Sequence, residues 1–167
     1  MIQLRTRTEY SFRKAYGRIN DVIDSCPEKS LGIADSGTWG HVAFSKACKK
    51  AGKKPLFGAE IAIVEDAKER SRQPANYMAF IAKNNDGLSE IYNLVTKSTS
   101  KDNFYYFPRM SYEDLFDVSN NVIMISGTHP EWGLLPLSKK ENLYIEINPM
   151  SSPKALEFCK QKGFKPV

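Results

Sequence analysis

Residues 31–60 read LGIADSGTWGHVAFSKACKKAGKKPLFGAE, and this stretch decides the fold class. Leu31-Gly-Ile-Ala34 is a short strand that runs into Asp35-Ser-Gly37. A helix is predicted over about Gly40 to Ala51, with Phe44, Ala47, Cys48 and Ala51 on its apolar face. Lys46, Lys49, Lys50 and Lys53 lie on its outer face, and Gly52 stops it. Leu56 to Val64 then reads as a strand. A strand, a helix and a strand in direct succession are the unit from which parallel sheets are built.

The same alternation extends outward in both directions. Ile2 to Thr8 alternates as a strand does, with Gln3, Arg5 and Arg7 on one face and Ile2, Leu4 and Thr6 on the other. Ile19, Val22, Ile23 and Cys26 sit at helical spacing and end at Pro27. Glu65 to Ala75 is charged, polar and Pro-containing, hence a surface loop. Tyr77 to Ala82 is a buried-strand run, and Leu88, Ile91, Tyr92 and Val95 form a helical stripe. Ser111-Tyr-Glu-Asp114 has the form of a capped helix start leading to Leu115 and Val118. Val122 to Ser126 and Leu143 to Ile147 are two further strands. Ser152-Pro153 opens a last helix, with Ala155, Leu156 and Cys159 inside and Gly163 closing it. The expectation is one α/β domain over residues 1–167, with a mainly parallel sheet. A closed barrel of eight such units takes ~250 residues. The expected architecture is therefore an incomplete or distorted (β/α) barrel, with Lys165-Pro166-Val167 opening another strand and further units beyond it.

Composition narrows the function classes. At 167 residues and 41% hydrophobic, the chain can bury one real core. Cys26, Cys48 and Cys159 are odd in number and far apart, so they read as buried thiols of a reducing cytosol rather than a disulfide framework. No apolar run approaches membrane-spanning length, so a soluble, cytoplasmic protein without a membrane partner is expected. The net charge of +5 favours polyanions only weakly. There is no GxxxxGK[ST], no GxSxG and no Cys/His nucleophile arrangement.

Several segments, in order, resemble the PHP domain found at the N-terminus of bacterial DNA polymerase III alpha subunits. Leu4-Arg-Thr-Arg-Thr-Glu-Tyr-Ser11 is similar to that family's L-H-x-H-S-E-Y-S, and Ala34-Asp-Ser-Gly37 to its T-D-H-G. Gly40 to Glu60 is similar to the helix and G-x-E that follow, and Asn76-Tyr-Met-Ala-Phe-Ile-Ala-Lys-Asn84 to H-L-V-L-L-A-K-N. Phe104-Tyr-Tyr-Phe-Pro-Arg109, Ile125-Ser-Gly127 and Leu143-Tyr-Ile-Glu146 complete the set.

The resemblance implies a site of two or three metal ions, held mostly by His with Asp and Glu, that hydrolyses phosphoesters. This chain departs from it almost everywhere. Arg5 and Arg7 stand at the two histidines of the first motif, Ser36 at the histidine of T-D-H-G, Tyr77 at the histidine opening the fourth strand, and Thr128 at the cysteine of S-G-C. Glu60 remains a credible ligand, with Asp35 beside the site, and a last Asp-x-His-type pair would lie beyond Val167. A guanidinium cannot ligate a cation and repels one. No cofactor is therefore expected, and Glu60 and His129 are only weak metal candidates.

Three roles remain for the two arginines. They replace metal charge by pairing with Glu60 and Asp35, they form a phosphate-binding pocket, or they are solvated rim residues. His41 and His129 have no useful spacing as a metal pair and read as helix-start and loop residues. The lysines at 46, 49, 50 and 53 read as a solvated face rather than a DNA contact. Phe104-Tyr-Tyr-Phe-Pro108 reads as packing rather than a base-stacking surface, and Trp39 and Trp132 as core or rim.

The resemblance implies a degenerate, non-catalytic module of a replicative DNA-directed DNA polymerase. Its partners would be the rest of that polymerase and a proofreading exonuclease, with DNA reached through the parent protein. The alternatives are a metal-dependent (Mn, Zn or Mg) phosphoesterase or 3′–5′ exonuclease, and a stand-alone interaction protein that kept the fold.

Overall fold

The computed structural model describes residues 2–149 and 152–167. Its first four strands are β1 (Gln3–Thr6), β2 (Ser30–Asp35), β3 (Lys54–Val64) and β4 (Asn76–Ala82). They are followed by β5 (Arg109–Ser111), β6 (Val122–Ile125), β7 (Leu143–Ile145) and β8 (Lys165–Pro166). The helices are α1 (Ile19–Ser25), α2 (His41–Lys50), α3 (Asn85–Thr99) and α4 (Ser152–Lys162). The strand order is β1-β2-β3-β4-β6-β7-β8, with β5 paired to β3. Only β4 runs antiparallel to its neighbours among the described strands; the other pairings are parallel. This is the mixed α/β, curled and unclosed barrel that the alternation predicts, with β1 and β8 as its ends.

Two apolar cores hold helices against the sheet. Ile19, Ile23, Leu31, Ile33, Phe44 and Cys48 join α1 and α2 to β2. A larger core joins α3 and α4 to the second half of the sheet through Phe80, Ile91, Met124, Leu143, Ala155 and Cys159. All three cysteines are buried and free, and burial pushes the Cys48 and Cys159 thiols above their ordinary pKa. Leu156 is exposed, contrary to expectation. Phe158 is the aromatic of α4 that packs inward, against Phe164 and Trp132. Gly32 is required by close approach: a Cβ there would collide with the backbone of Leu4 on β1.

β3 outruns β2, and its far half takes a second parallel partner, β5, with Ala62 opposite Arg109. A three-residue strand carries too little periodicity to be read in advance. Buried Arg109 secures this region. Its guanidinium donates to the carbonyls of Asn103 (3.1 Å), Ala67 (3.0 Å), Glu69 (2.6 Å) and Ser71 (3.2 Å), tying together the loops on either side. The helix expected from Ser111 is instead a short 3-10 turn, Tyr112–Phe116. Its capping box forms as predicted, with the Ser111 N–H donating to Asp114 at 2.8 Å. The turn stops because Glu90 on α3 captures the Ser119 N–H (2.7 Å) and hydroxyl, drawing the chain out of helical register.

Candidate functional site

The site is built where β1, β3 and β7 present polar residues to one another. Glu60, on the long strand β3, has a side chain with no solvent exposure. Arg5 on β1 donates to its Oε2 at 2.8 Å, Arg7 donates to the same oxygen through Nε at 3.1 Å and through Nη2, and Lys14 donates to Oε1 at 2.8 Å. Both oxygens are thus engaged by three cations. Burial alone would raise the Glu60 pKa, but the hydrogen bonds from Lys14, Arg5 and Arg7 outweigh it and hold the carboxyl below its usual range. Arg5 also reaches across the open sheet to Glu146, just past β7, and donates to the Tyr77 carbonyl at 3.2 Å. The ammonium of Lys14 sits 3.5 Å from the centre of the Tyr77 ring. Arg5, Arg7, Lys14, Tyr77, Thr128 and Glu146 line a cleft at this point.

Asp35 does not join this cluster. The expected pairing of the arginines holds for Glu60 and fails for Asp35. The Asp35 carboxylate accepts from the Thr8 N–H (2.6 Å), the Thr8 hydroxyl (2.7 Å) and the Ser11 hydroxyl (2.5 Å). The physical reason is local: the loop leaving β1 folds back over the end of β2, so its own hydroxyls reach the carboxylate first. The Ser36 N–H donates to Ser11 at 3.1 Å, while the Ser36 hydroxyl is buried without a partner.

The remaining sequence candidates separate by burial. His41 is buried at the start of α2, with Nε2 2.9 Å from the Gly58 carbonyl and Nδ1 3.4 Å from the Tyr92 hydroxyl; burial lowers its pKa against that bond and the charge of Asp35. His129 is exposed, and only its backbone N–H is engaged, by Asn76 at 3.3 Å. The two histidines do not converge. Lys46, Lys49 and Lys50 are exposed, whereas Lys53 turns in to the carbonyls of Cys26 and Glu28. Trp132 packs on Phe158, but Trp39 is 70% exposed, outside any core.

Sequence reasoning missed Lys14 and the roles of Glu146, Thr8 and Ser11. The signal for Lys14 was its place in one short loop with Ser11. Glu146 stood at the end of a strand motif already noted for its pattern.

A multinuclear metal centre needs several converging imidazoles or carboxylates with free lone pairs. Among the described residues no three His, Cys, Asp or Glu side chains gather in that way. Glu60 is saturated by cations, and Arg5 and Arg7 cannot ligate. The residues present do not fit such a centre.

Comparison with known proteins agrees with the architecture. Over 135 residues, 75% of this chain, the sequence is 29% identical to the DNA polymerase III subunit alpha of Borreliella burgdorferi. It is 30% identical to that of Helicobacter pylori 26695 over 74% of the chain, and 33% identical to that of Neisseria meningitidis over 77%. The chain spans only 11–12% of the length of these relatives. A solved structure of a Bifidobacterium adolescentis protein, assigned as a metal-dependent phosphoesterase, superposes with a TM-score of 0.62 at 12% identity, covering 98% of this chain and 84% of the other. The family model for the PHP domain matches residues 3–134, and the chain belongs to that family.

Proposed function

We propose that this domain is a non-catalytic PHP module of a DNA polymerase III alpha-like replication protein, with a structural and partner-docking role in the cytoplasm. The observation that carries this reading is the state of Glu60. The carboxylate best placed to hold a metal is occupied by Arg5, Arg7 and Lys14, and Arg5 extends the same ion network to Glu146. Protein cations supply the charge that divalent ions would bring, and they join the first strand to the region after the seventh. Similarity to polymerase III alpha subunits supports the replicative context. Nucleotidyl transfer, proofreading contacts and DNA contacts would then belong to the parent assembly.

The test is a manganese, zinc and magnesium titration with bis-p-nitrophenyl phosphate as the phosphodiester. The expected result is no metal-stimulated hydrolysis. Turnover that rises with metal and disappears in Glu60→Gln would establish the phosphoesterase reading instead.

A second reading has one observation in its favour. Arg7 and Lys14 keep side-chain exposures of 34% and 28% along the cleft, which holds three cations against two carboxylates. A phosphate group would bind there without being cleaved. Inorganic phosphate that shifts the Arg7 side-chain NMR signals saturably would support it, and an unchanged spectrum would remove it.

A further inference from the structure

We infer that the groove beside the ion cluster is a docking site for an acidic polypeptide segment that inserts bulky apolar side chains. This deepens, and rests on, the docking role proposed above. The groove has a volume of about 340 Å³ and is walled by Tyr10, Phe12, Trp39, Tyr77, Phe107 and Pro108. Its exposed rings are held out by the backbone. Thr8 and Ser11 root their loop on Asp35, and Lys14 turns in to Glu60, which leaves Phe12 pointing outward at 80% exposure. The residue between them, Arg13, adopts φ +63°, a left-handed conformation costly for a side chain of this kind. Trp39 is set in a similar way. Gly37 has φ +125°, and a Cβ there would lie 2.7 Å from the indole nitrogen, so only glycine lets Trp39 keep this place. On the far wall Tyr106, with φ +62°, precedes Phe107 and is 72% exposed. Exposed rings on a strained backbone, with no core to bury them, mark an interaction surface.

Charge identifies the occupant. Lys14 lines the groove, and Arg13 and Arg72 flank it beside Phe12 and Tyr106. The one carboxylate among the lining residues is Glu60, and both of its oxygens are taken. The rim is therefore cationic, and a partner carrying Asp or Glu complements it. A run of nucleobases fits less well. Bases stack on open ring faces, yet Arg13 lies over Phe12 (5.5 Å), Arg72 over Tyr106 (5.7 Å) and Lys14 over Tyr77 (3.5 Å). What remains is an apolar depression with a charged rim, the form of a pocket that receives an anchoring side chain.

The test uses the whole chain with Trp132→Phe, so that Trp39 is the sole emitter. It is titrated with a short peptide of Phe and Leu flanked by Asp and Glu, with its Lys-flanked counterpart, and with oligo-dT. The acidic peptide is expected to shift the emission to the blue and to bind at least tenfold more tightly than the Lys-flanked one. Phe12→Ser, a change at a solvent-facing ring, is expected to weaken it at least tenfold while circular dichroism stays unchanged. No response to the acidic peptide, or a response to oligo-dT alone that Phe12→Ser abolishes, would overturn the proposal. Hydrolysis of the phosphodiester reporter would refute the non-catalytic reading without altering these titrations, and a silent peptide titration would leave the hydrolysis result intact.

Discussion

Asp35 closes β2, and Glu60 lies one residue beyond its register partner on β3, so two buried carboxylates stand side by side at the same end of the sheet. They are held by different means. Asp35 meets only neutral donors from one short loop, Thr8 and Ser11. Glu60 meets three full positive charges brought from β1 and from the loop after it. The difference separates two jobs. Neutral hydroxyls can rotate between donating and accepting, so the Asp35 arrangement anchors a loop and tolerates adjustment. Fixed cations cannot, so the Glu60 arrangement holds only while the negative charge is present.

Removing each charge in turn gives the sharpest test. Glu60→Gln leaves Arg5, Arg7 and Lys14 converging on a neutral amide and should cost about 3–5 kcal/mol in urea unfolding, as breaking a buried ion pair does. Acid should do the same reversibly. The folded pKa of Glu60 lies below its ordinary value, so its contribution is complete above the usual carboxylate range, ~4.3, and is lost as pH falls through the lower folded value. Plotted against pH, wild-type stability should fall in that window, and Glu60→Gln should lack that part of the fall. Asp35→Asn should cost less, about 1–3 kcal/mol, because the Thr8 hydroxyl can turn to accept from the new amide. Equal costs for the two substitutions would erase the distinction between them.

The same two residues mark how far the sequence could be read. The strand–helix–strand pattern of residues 31–60 carries its own periodicity, so β2, α2 and β3 were legible locally. The convergence of Arg5 and Arg7 on Glu60 was legible too, because i, i+2 spacing on a strand sends both side chains to one face. Asp35 was misassigned because hydroxyls compete for a carboxylate as well as guanidinium groups do when the chain brings them closer, and chain path is not written in spacing. Lys14 lies beyond the strand, in a loop with no period to follow. β5 and the 3-10 turn after it were missed or misread because three to five residues hold no repeat, and their form is set by β3 and by Glu90 rather than by their own sequence.

The smallest effect is expected at the outer end of the network. Arg5 carries its charge between Glu60 and Glu146, and the Glu146 side chain keeps 20% exposure. Water and salt reach that half of the bridge, whereas the Glu60 half is sealed. Glu146→Gln leaves Arg5 its bonds to Glu60 and to the Tyr77 carbonyl, so no buried charge is stranded. The cost should be about 1 kcal/mol or less and should shrink as salt is added in a urea titration. A loss as large as that of Glu60→Gln, unchanged by salt, would mean that the bridge from β1 to the end of β7 holds the open sheet in its curl. The central contrast would then lie between the two ends of the sheet rather than between its two buried carboxylates.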